Sequence, residues 1–554
     1  MFVFAMVLQL AAQIDAAPAA VVQPASVAVI WHISSAPYAD ASVRAAANAL
    51  EAPGDLSPIL RALQAHPRAR FALAIDADAL SALEMVRTGG TALSEVVAGH
   101  WNAADARAPD LARILTRLPV ADKQLSDSPA FKRYAELAAT VRHALDVETA
   151  PHVRANDLVE LAGLAALNRL ATFGAIPSNS KLLRKSAMSR AEAASLVAQL
   201  SSADADALDV MKALAAQGQL EILADPAGEP ILPVLVDNGG RTSLDPNFVQ
   251  LGAFADAEYL VTDALRWARK ESPEGAAPGI FSPHGAYDDK TAALLVSRGA
   301  AFALFSDRVL ASAPAGGSLA AVTASDSAAF HAYAVQATSS RALPALFWSE
   351  DESIAISALP SDSPPTAMGE RMAIFAGKAA QSLGPAASAL VVLRIDADGA
   401  WAQRADRAAV VDHLAAALSR AGVDAVTPGQ YMRARHLGVT AYGFAPSSDE
   451  GSLSAWTSDS NQQSMWSAIA DARKAAGGDA ALGSDATRTP LLQAEASHWY
   501  DSILLAQPKE QISATVAAFR KLVEQVYRAA GKTAPANIAP LVAASPTPAP
   551  TPSP

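Results

Sequence analysis

Gly218 to Asp237 reads GQLEILADPAGEPILPVLVD, and most of the architecture can be read outward from it. Leu220 to Leu223 (LEIL) is a short apolar run with the look of a buried strand. It breaks at Ala224, Asp225, Pro226, Ala227, Gly228, Glu229 and Pro230, a stretch of turn formers. Four more runs share this character: Val27 to Trp31 (VAVIW), Phe71 to Ile75 (FALAI), Ala301 to Phe305 (AFALF) and Ala389 to Ile395 (ALVVLRI). Longer stretches with apolar residues at three- and four-residue spacing separate them, which is the pattern of an α/β frame. Ser126 to Gln219 holds no strand-like run, so a helical insertion is expected at about 126–217. At this level the frame is an α/β barrel or a doubly wound sheet. In either, side chains with chemistry belong at the carboxyl ends of the strands.

Composition narrows the classes. The chain has 554 residues, 51% apolar and 18% charged, enough for several packed units. Its 43 Lys and Arg against 55 Asp and Glu give a net charge of −12, so no nucleic-acid partner is expected. There is no cysteine, which removes thiolate metal sites and cysteine nucleophiles. The ten histidines contain no H-x-x-x-H or H-E-x-x-H spacing, and no metal or other cofactor is expected.

The ends have their own character. Residues 1–24 combine an apolar opening, MFVFAMVLQL, with small residues from Ala16 to Ala20, as a signal segment does, although no basic residue precedes the apolar core. Export to the periplasm or cell surface is expected, with the cytoplasm as the alternative. No other window is apolar enough for a membrane helix. From Pro428 the apolar pattern turns helical, with Met465 to Ala475 and Ile512 to Ala529 the clearest stretches. The expected units are therefore a barrel over 25–427, a helical region over 428–540 and a Pro-rich tail over 541–554, ending SPTPAPTPSP.

The residues flanking these runs are distinctive. His32, Ser34, Ser35 and Ala36 come after VAVIW. Ser282, Pro283, His284 and Gly285 precede AFALF. Asp396, Asp398, Gly399 and Trp401 come after ALVVLRI. Together with Gly218–Asp237, these stretches resemble, in order and separation, glycoside hydrolase family 57, whose members act on α-glucans by a retaining mechanism. Asp157 to Gly174 and Pro490 to Tyr500 (PLLQAEASHWY) resemble further segments of that family, so the likeness spans nearly the whole chain.

The resemblance implies a (β/α)7-type barrel with an inserted helical segment and a C-terminal helical region, and an α-glucan or other oligosaccharide as partner. It puts Asp396 in the acid/base role and His284 at the position of the nucleophilic Glu. Glu229 replaces a His of the family pattern and is a possible substitute carboxylate. His32, Trp31, Tyr38, Trp401 and Asp398 are candidates for substrate binding, with Tyr287 a further stacking candidate. Trp348 stands where the family often has F-R-D, without the Arg. An imidazole cannot form the usual glycosyl ester, so α-glucan hydrolysis or transglycosylation by the family mechanism is expected to fail or be slow. The alternative is a catalytically inactive glycan-binding or scaffold protein. Because Glu229 and His284 exchange the family's residue types, they are also expected to form a hydrogen-bonded pair across the cleft.

Overall fold

The computed structural model describes residues 25–34, 40–101, 105–118, 126–147, 153–172, 175–177, 179–236, 248–312, 328–360, 362–383, 389–397, 404, 406–420, 423–434, 439–441, 444, 446–500 and 509–539. The apolar opening, the Pro-rich tail, Tyr38, Asp398 and Trp401 lie outside these residues.

Among the described residues ten strands form one sheet: β1 (Ser26–Ile33), β2 (Phe71–Asp76), β3 (Leu220–Asp225), β4 (Ile280–Phe281), β5 (Ala303–Ser306), β6 (Tyr333–Thr338), β7 (Arg341–Trp348), β8 (Leu390–Asp396), β9 (Asp424–Ala425) and β10 (Val439–Ala441). Seven of them run parallel in the order β7-β5-β4-β3-β2-β1-β8. The two ends of that row meet where the Ser349 N–H, just past β7, donates to the Val392 carbonyl of β8 at 3.0 Å. The seven strands therefore close into a barrel. β6 pairs antiparallel with β7 and carries β10 outside the ring.

At the β7/β8 seam, helix Glu350–Ser357 takes the place of a neighbouring strand. Ser353 Oγ accepts from the Arg394 N–H at 3.0 Å, and Ser357 Oγ accepts from the Asp396 N–H at 3.3 Å. The two serines are four residues apart on one helix face, so they meet two alternate edge donors that would otherwise be unsatisfied.

Strand alternation divides the side chains between two cores. Val27, Val29 and Trp31 of β1 point outward, into the large cluster beneath the surrounding helices, and Ala28 and Ile30 point inward. The inward cluster also contains Ala72, Ala74, Leu223, Phe281, Leu304, Leu346, Trp348, Leu390 and Val392. Continued one step toward the carboxyl end, the inward register reaches His32 on β1, Asp76 on β2, Asp225 on β3, Ser306 on β5, and Arg394 and Asp396 on β8. The barrel is apolar below and polar at its carboxyl rim.

A separate apolar core from Val43 to Leu200 holds the helical excursion together. The excursion starts earlier than 126, because helices Ala92–Ala98 and Ala108–Arg117 pack in the same core as Pro129–Val147, Ala155–Thr172 and Arg190–Ala216. Past the barrel, helices Ser460–Ala475, Asp485–Ala494 and Lys509–Ala529 form the C-terminal helical region. Among the described residues no helix is long and apolar enough to cross a membrane.

Candidate functional site at the barrel mouth

Two loops and two strand ends bring the site together. After β3, Gly228 takes φ 74 and Glu229 takes φ 52. A Cβ on Gly228 would stand 2.8 Å from Ala496 Cβ, so the loop passes the C-terminal region where only glycine fits. The Gly228 N–H donates to Asp76 Oδ2 at 2.8 Å and its carbonyl accepts from the Ser497 N–H at 3.0 Å. After β4, the turn Pro283–Gly285 holds His284 at φ 54 and Gly285 at φ 57. A Cβ on Gly285 would fall 2.4 Å from the Ser306 backbone nitrogen. Glu229 and His284 are thus both non-glycine residues in the left-handed region, an uncommon conformation that tends to mark functional positions.

His32 is the hub. Its Nδ1 lies 3.2 Å from Asp396 Oδ1, and its Nε2 lies 3.2 Å from Asp225 Oδ2 and 3.4 Å from Glu229 Oε1. The ring stacks on Phe281 at 4.9 Å, and Phe281 stacks on Trp348 at 4.9 Å, so an aromatic column rises through the barrel to the site. Arg394 stands over Trp348 at 5.4 Å and ties the acidic groups together. Its Nε is 3.2 Å from Asp396 Oδ1, its Nη1 3.4 Å from Asp449 Oδ2 and its Nη2 3.6 Å from Glu350 Oε1. Trp348 Nε1 donates to Glu350 Oε2 at 2.5 Å.

The electrostatics follow from this packing. Burial acts to lower the His32 pKa, but Glu229, Asp225 and Asp396 outweigh it and raise it well above the ordinary value. Burial acts to raise Asp396, but Arg394 and His32 outweigh it and hold the carboxyl well below the usual carboxylate range. Asp225 is pushed up to about 6 by burial, with His32 opposing and Glu229 reinforcing. Asp76 is raised well above the ordinary range by burial and then by Asp78 and Asp225.

The structure brings four of the expected residues, His32, Glu229, His284 and Asp396, to one rim. It separates Trp31 from them: that side chain is 0% exposed and packs edge-on against Phe71 at 5.8 Å in the outer core, because neighbours along a strand face opposite ways. Tyr287 is also core, wedged against Phe305 and Phe444 with its hydroxyl donating to Asp289. Trp348 is fully buried inside the barrel rather than open to a ligand. The Glu229–His284 hydrogen bond is not formed. Glu229 Oε2 stands 3.9 Å from His284 Nε2, beyond hydrogen-bond reach, and Nε2 pairs with Ser497 Oγ at 2.8 Å.

Sequence reasoning passed over Asp225, Glu350, Arg394, Asp449 and Ser497. Arg394 carried a signal, since it is a charge inside an apolar strand run. Asp225 ends its strand as Asp396 ends β8. Asp449 and Ser497 arrive from the C-terminal region, and nothing local marks their place.

No protein-family model matches the sequence, and no curated protein matches it. Solved structures do match it in shape. The GH57-type branching enzyme of Pyrococcus horikoshii superposes with a TM-score of 0.54 at 12% identity, covering 92% of this chain and 94% of that one. The α-amylase AmyC of Thermotoga maritima gives 0.52 at 11%, covering 92% and 93%. The 4-alpha-glucanotransferase of Thermococcus litoralis gives 0.51 at 11%, covering 92% and 60%. The class is therefore an α/β barrel protein with a GH57-like fold. At these identities the likeness is one of fold.

Proposed function

We propose that the chain binds an α-glucan or related oligosaccharide at the barrel mouth and does not cleave it by the retaining mechanism. The carrying observation is the company Asp396 keeps: His32 Nδ1 and Arg394 Nε each stand 3.2 Å from its Oδ1. A general acid must hold its proton at working pH, which needs a raised pKa, whereas Arg394 and His32 press this carboxyl well below the usual range. The partner position is filled by His284, and two carboxyls about 5 to 5.5 Å apart are what retaining attack requires. Fold likeness to glucan-active enzymes supports the ligand class, and the apolar opening of the sequence supports export to the periplasm or cell surface.

The test is product analysis after long incubation with amylose and maltooligosaccharides, alongside calorimetry with the same sugars. Binding heat without new products is the expected result, with Trp401→Ala abolishing the heat. A second reading is favoured by Glu229 Oε1, which is only 3.4 Å from His32 and reaches the same rim from another strand. Substantial hydrolysis that Glu229→Gln abolishes would overturn the binding reading and make Glu229 the nucleophile.

A further inference from the structure

A second constellation occupies the same mouth and shares His284 alone with the oligosaccharide reading. Ser497 Oγ lies 2.8 Å from His284 Nε2, and Nδ1 of that ring lies 3.5 Å from Asp449 Oδ2. Asp449 stands nearer to Nδ1 than Glu229 Oε2 does to Nε2, 3.5 against 3.9 Å, and a carboxylate only accepts, so a neutral imidazole here keeps its proton on Nδ1 and turns its Nε2 lone pair to the hydroxyl. A hydroxyl on Nε2 with a carboxylate behind Nδ1 is the arrangement that activates an alcohol for attack on a carbonyl. The 3.5 Å contact is looser than a hydrogen bond, as such contacts commonly are before substrate tightens them.

The three residues come from separate segments, and backbone bonds fix each one. The Asp449 N–H donates to the His284 carbonyl at 2.7 Å, and the Ser497 N–H donates to the Gly228 carbonyl at 3.0 Å. The His284 ring packs against Trp456 at 4.4 Å, and its backbone holds the strained φ of 54. Ser497 is 1% exposed and the His284 side chain 15%. A substrate must therefore reach the hydroxyl beside the imidazole, so a small acyl group such as acetyl is the one to test.

We propose that Ser497 is the nucleophile of an acyl-transfer site, with His284 as its base and Asp449 as the orienting group, acting on short-chain acyl esters. The Ser497 oxygen bonds to the ester carbonyl carbon as His284 Nε2 takes the hydroxyl proton. The carbon–oxygen bond to the alcohol then breaks, and the alcohol leaves with that proton. Water attacks the acyl-serine, giving one proton to Nε2; the serine oxygen leaves with it as the carboxylic acid departs. No oxidant or reductant enters. The reading stands apart from glycan binding, and either can fail without the other.

The full chain is treated with a serine-directed fluorophosphonate and, separately, with p-nitrophenyl acetate. Single labelling at Ser497, located by mass spectrometry, and a burst of about one nitrophenolate per chain are expected. His284→Gln should slow labelling about a hundredfold or more. A second variant removes dependence on the probe. The chain has no cysteine, so Ser497→Cys introduces its single thiol, and the pH profile of its alkylation by iodoacetamide reports on His284 alone. A midpoint well below the ordinary value of about 8.5, restored to it by adding His284→Gln, supports the proposal. A folded chain that takes no label at Ser497, or a thiol whose midpoint stays at or above the ordinary value, would show that the hydroxyl is only a tether for the ring.

Discussion

Replacing Arg394 with Met tests the electrostatic account of the mouth most directly. The guanidinium is the cation that Asp396, Asp449 and Glu350 share, at 3.2, 3.4 and 3.6 Å. At an effective dielectric of about 20, each contact is a gross attraction of about 5 kcal/mol, and the cost of desolvating the guanidinium cancels most of the sum. Removing one partner of such a cluster leaves buried carboxylates uncompensated and costs about 3 to 5 kcal/mol. With a urea slope of about 3 kcal/mol per molar, the midpoint at pH 7 should fall by roughly 1 to 2 M. The pH dependence has a definite sign. In the wild type Asp396 has a depressed pKa, so its contribution is complete above the unfolded value of about 3.9 and is lost as pH falls through the folded one. In Arg394→Met the carboxyls lose their cation, their folded pKa values rise, and protonation relieves the variant as pH falls. Urea unfolding should therefore show a gap between wild type and variant that narrows from pH 7 to pH 5. A midpoint shift under about 0.3 M, or a gap that widens toward pH 5, would refute the reasoning.

Three further outcomes are expected. Gly285→Ala places a methyl 2.4 Å from the Ser306 backbone nitrogen at φ 57, and should cost about 2 kcal/mol or more in urea unfolding through strain and a clash that backbone cannot easily relieve. Arg473 binds the fully buried Asp256 bidentately at 2.8 and 2.9 Å, joining helix Ser460–Ala475 to helix Phe254–Glu271; Arg473→Met should cost about 3 to 5 kcal/mol, and adding Asp256→Asn should recover part of it in a double-mutant cycle. The His32 pKa is raised on folding, so its contribution is complete below the unfolded value of about 6.5 and is lost as pH rises through the folded value; the deficit of His32→Gln should therefore be larger at pH 6 than at pH 9.5, measured by urea unfolding at both.

Five of the seven barrel strands were legible as apolar runs because a parallel strand covered on both faces has no polar alternation to hide it. The other two were not. β4 is two residues long, and β7, RALPALFW, begins exposed and contains a proline, so it reads as a connection. His32 and Asp396 were legible by position, as polar residues at the carboxyl ends of such runs. Trp31 misled because the run gives no phase: only pairing to neighbours decides which of two adjacent side chains faces the interior. Arg394 was visible, but its partners were not. The expected Glu229–His284 bond failed for the same reason, since Ser497, 213 residues from His284, claims the ring first. Contacts at that separation depend on how the C-terminal region docks, and no local pattern encodes that.

The backbones of the two loops explain why Glu229 and His284 reach the same rim. Glu229 and His284 both sit at positive φ, 52 and 54, each beside a glycine that steric contact makes hard to replace. The loops therefore aim both side chains at the same rim. On the β3 loop the Glu229 carboxylate faces His32 at 3.4 Å and helps raise its pKa. On the β4 turn the imidazole meets Ser497 and Asp449 rather than a carboxyl proton donor. The two loops thus bring one carboxylate and one imidazole to the rim, 3.9 Å apart, rather than the pair of carboxyls that retaining chemistry uses. The substitution His284→Glu places a carboxylate on the turn but leaves Asp396 3.2 Å from Arg394 Nε, which favours its ionised form. Glucan hydrolysis should remain absent in that variant by product analysis, and hydrolysis appearing there would show that the nucleophile alone had been limiting.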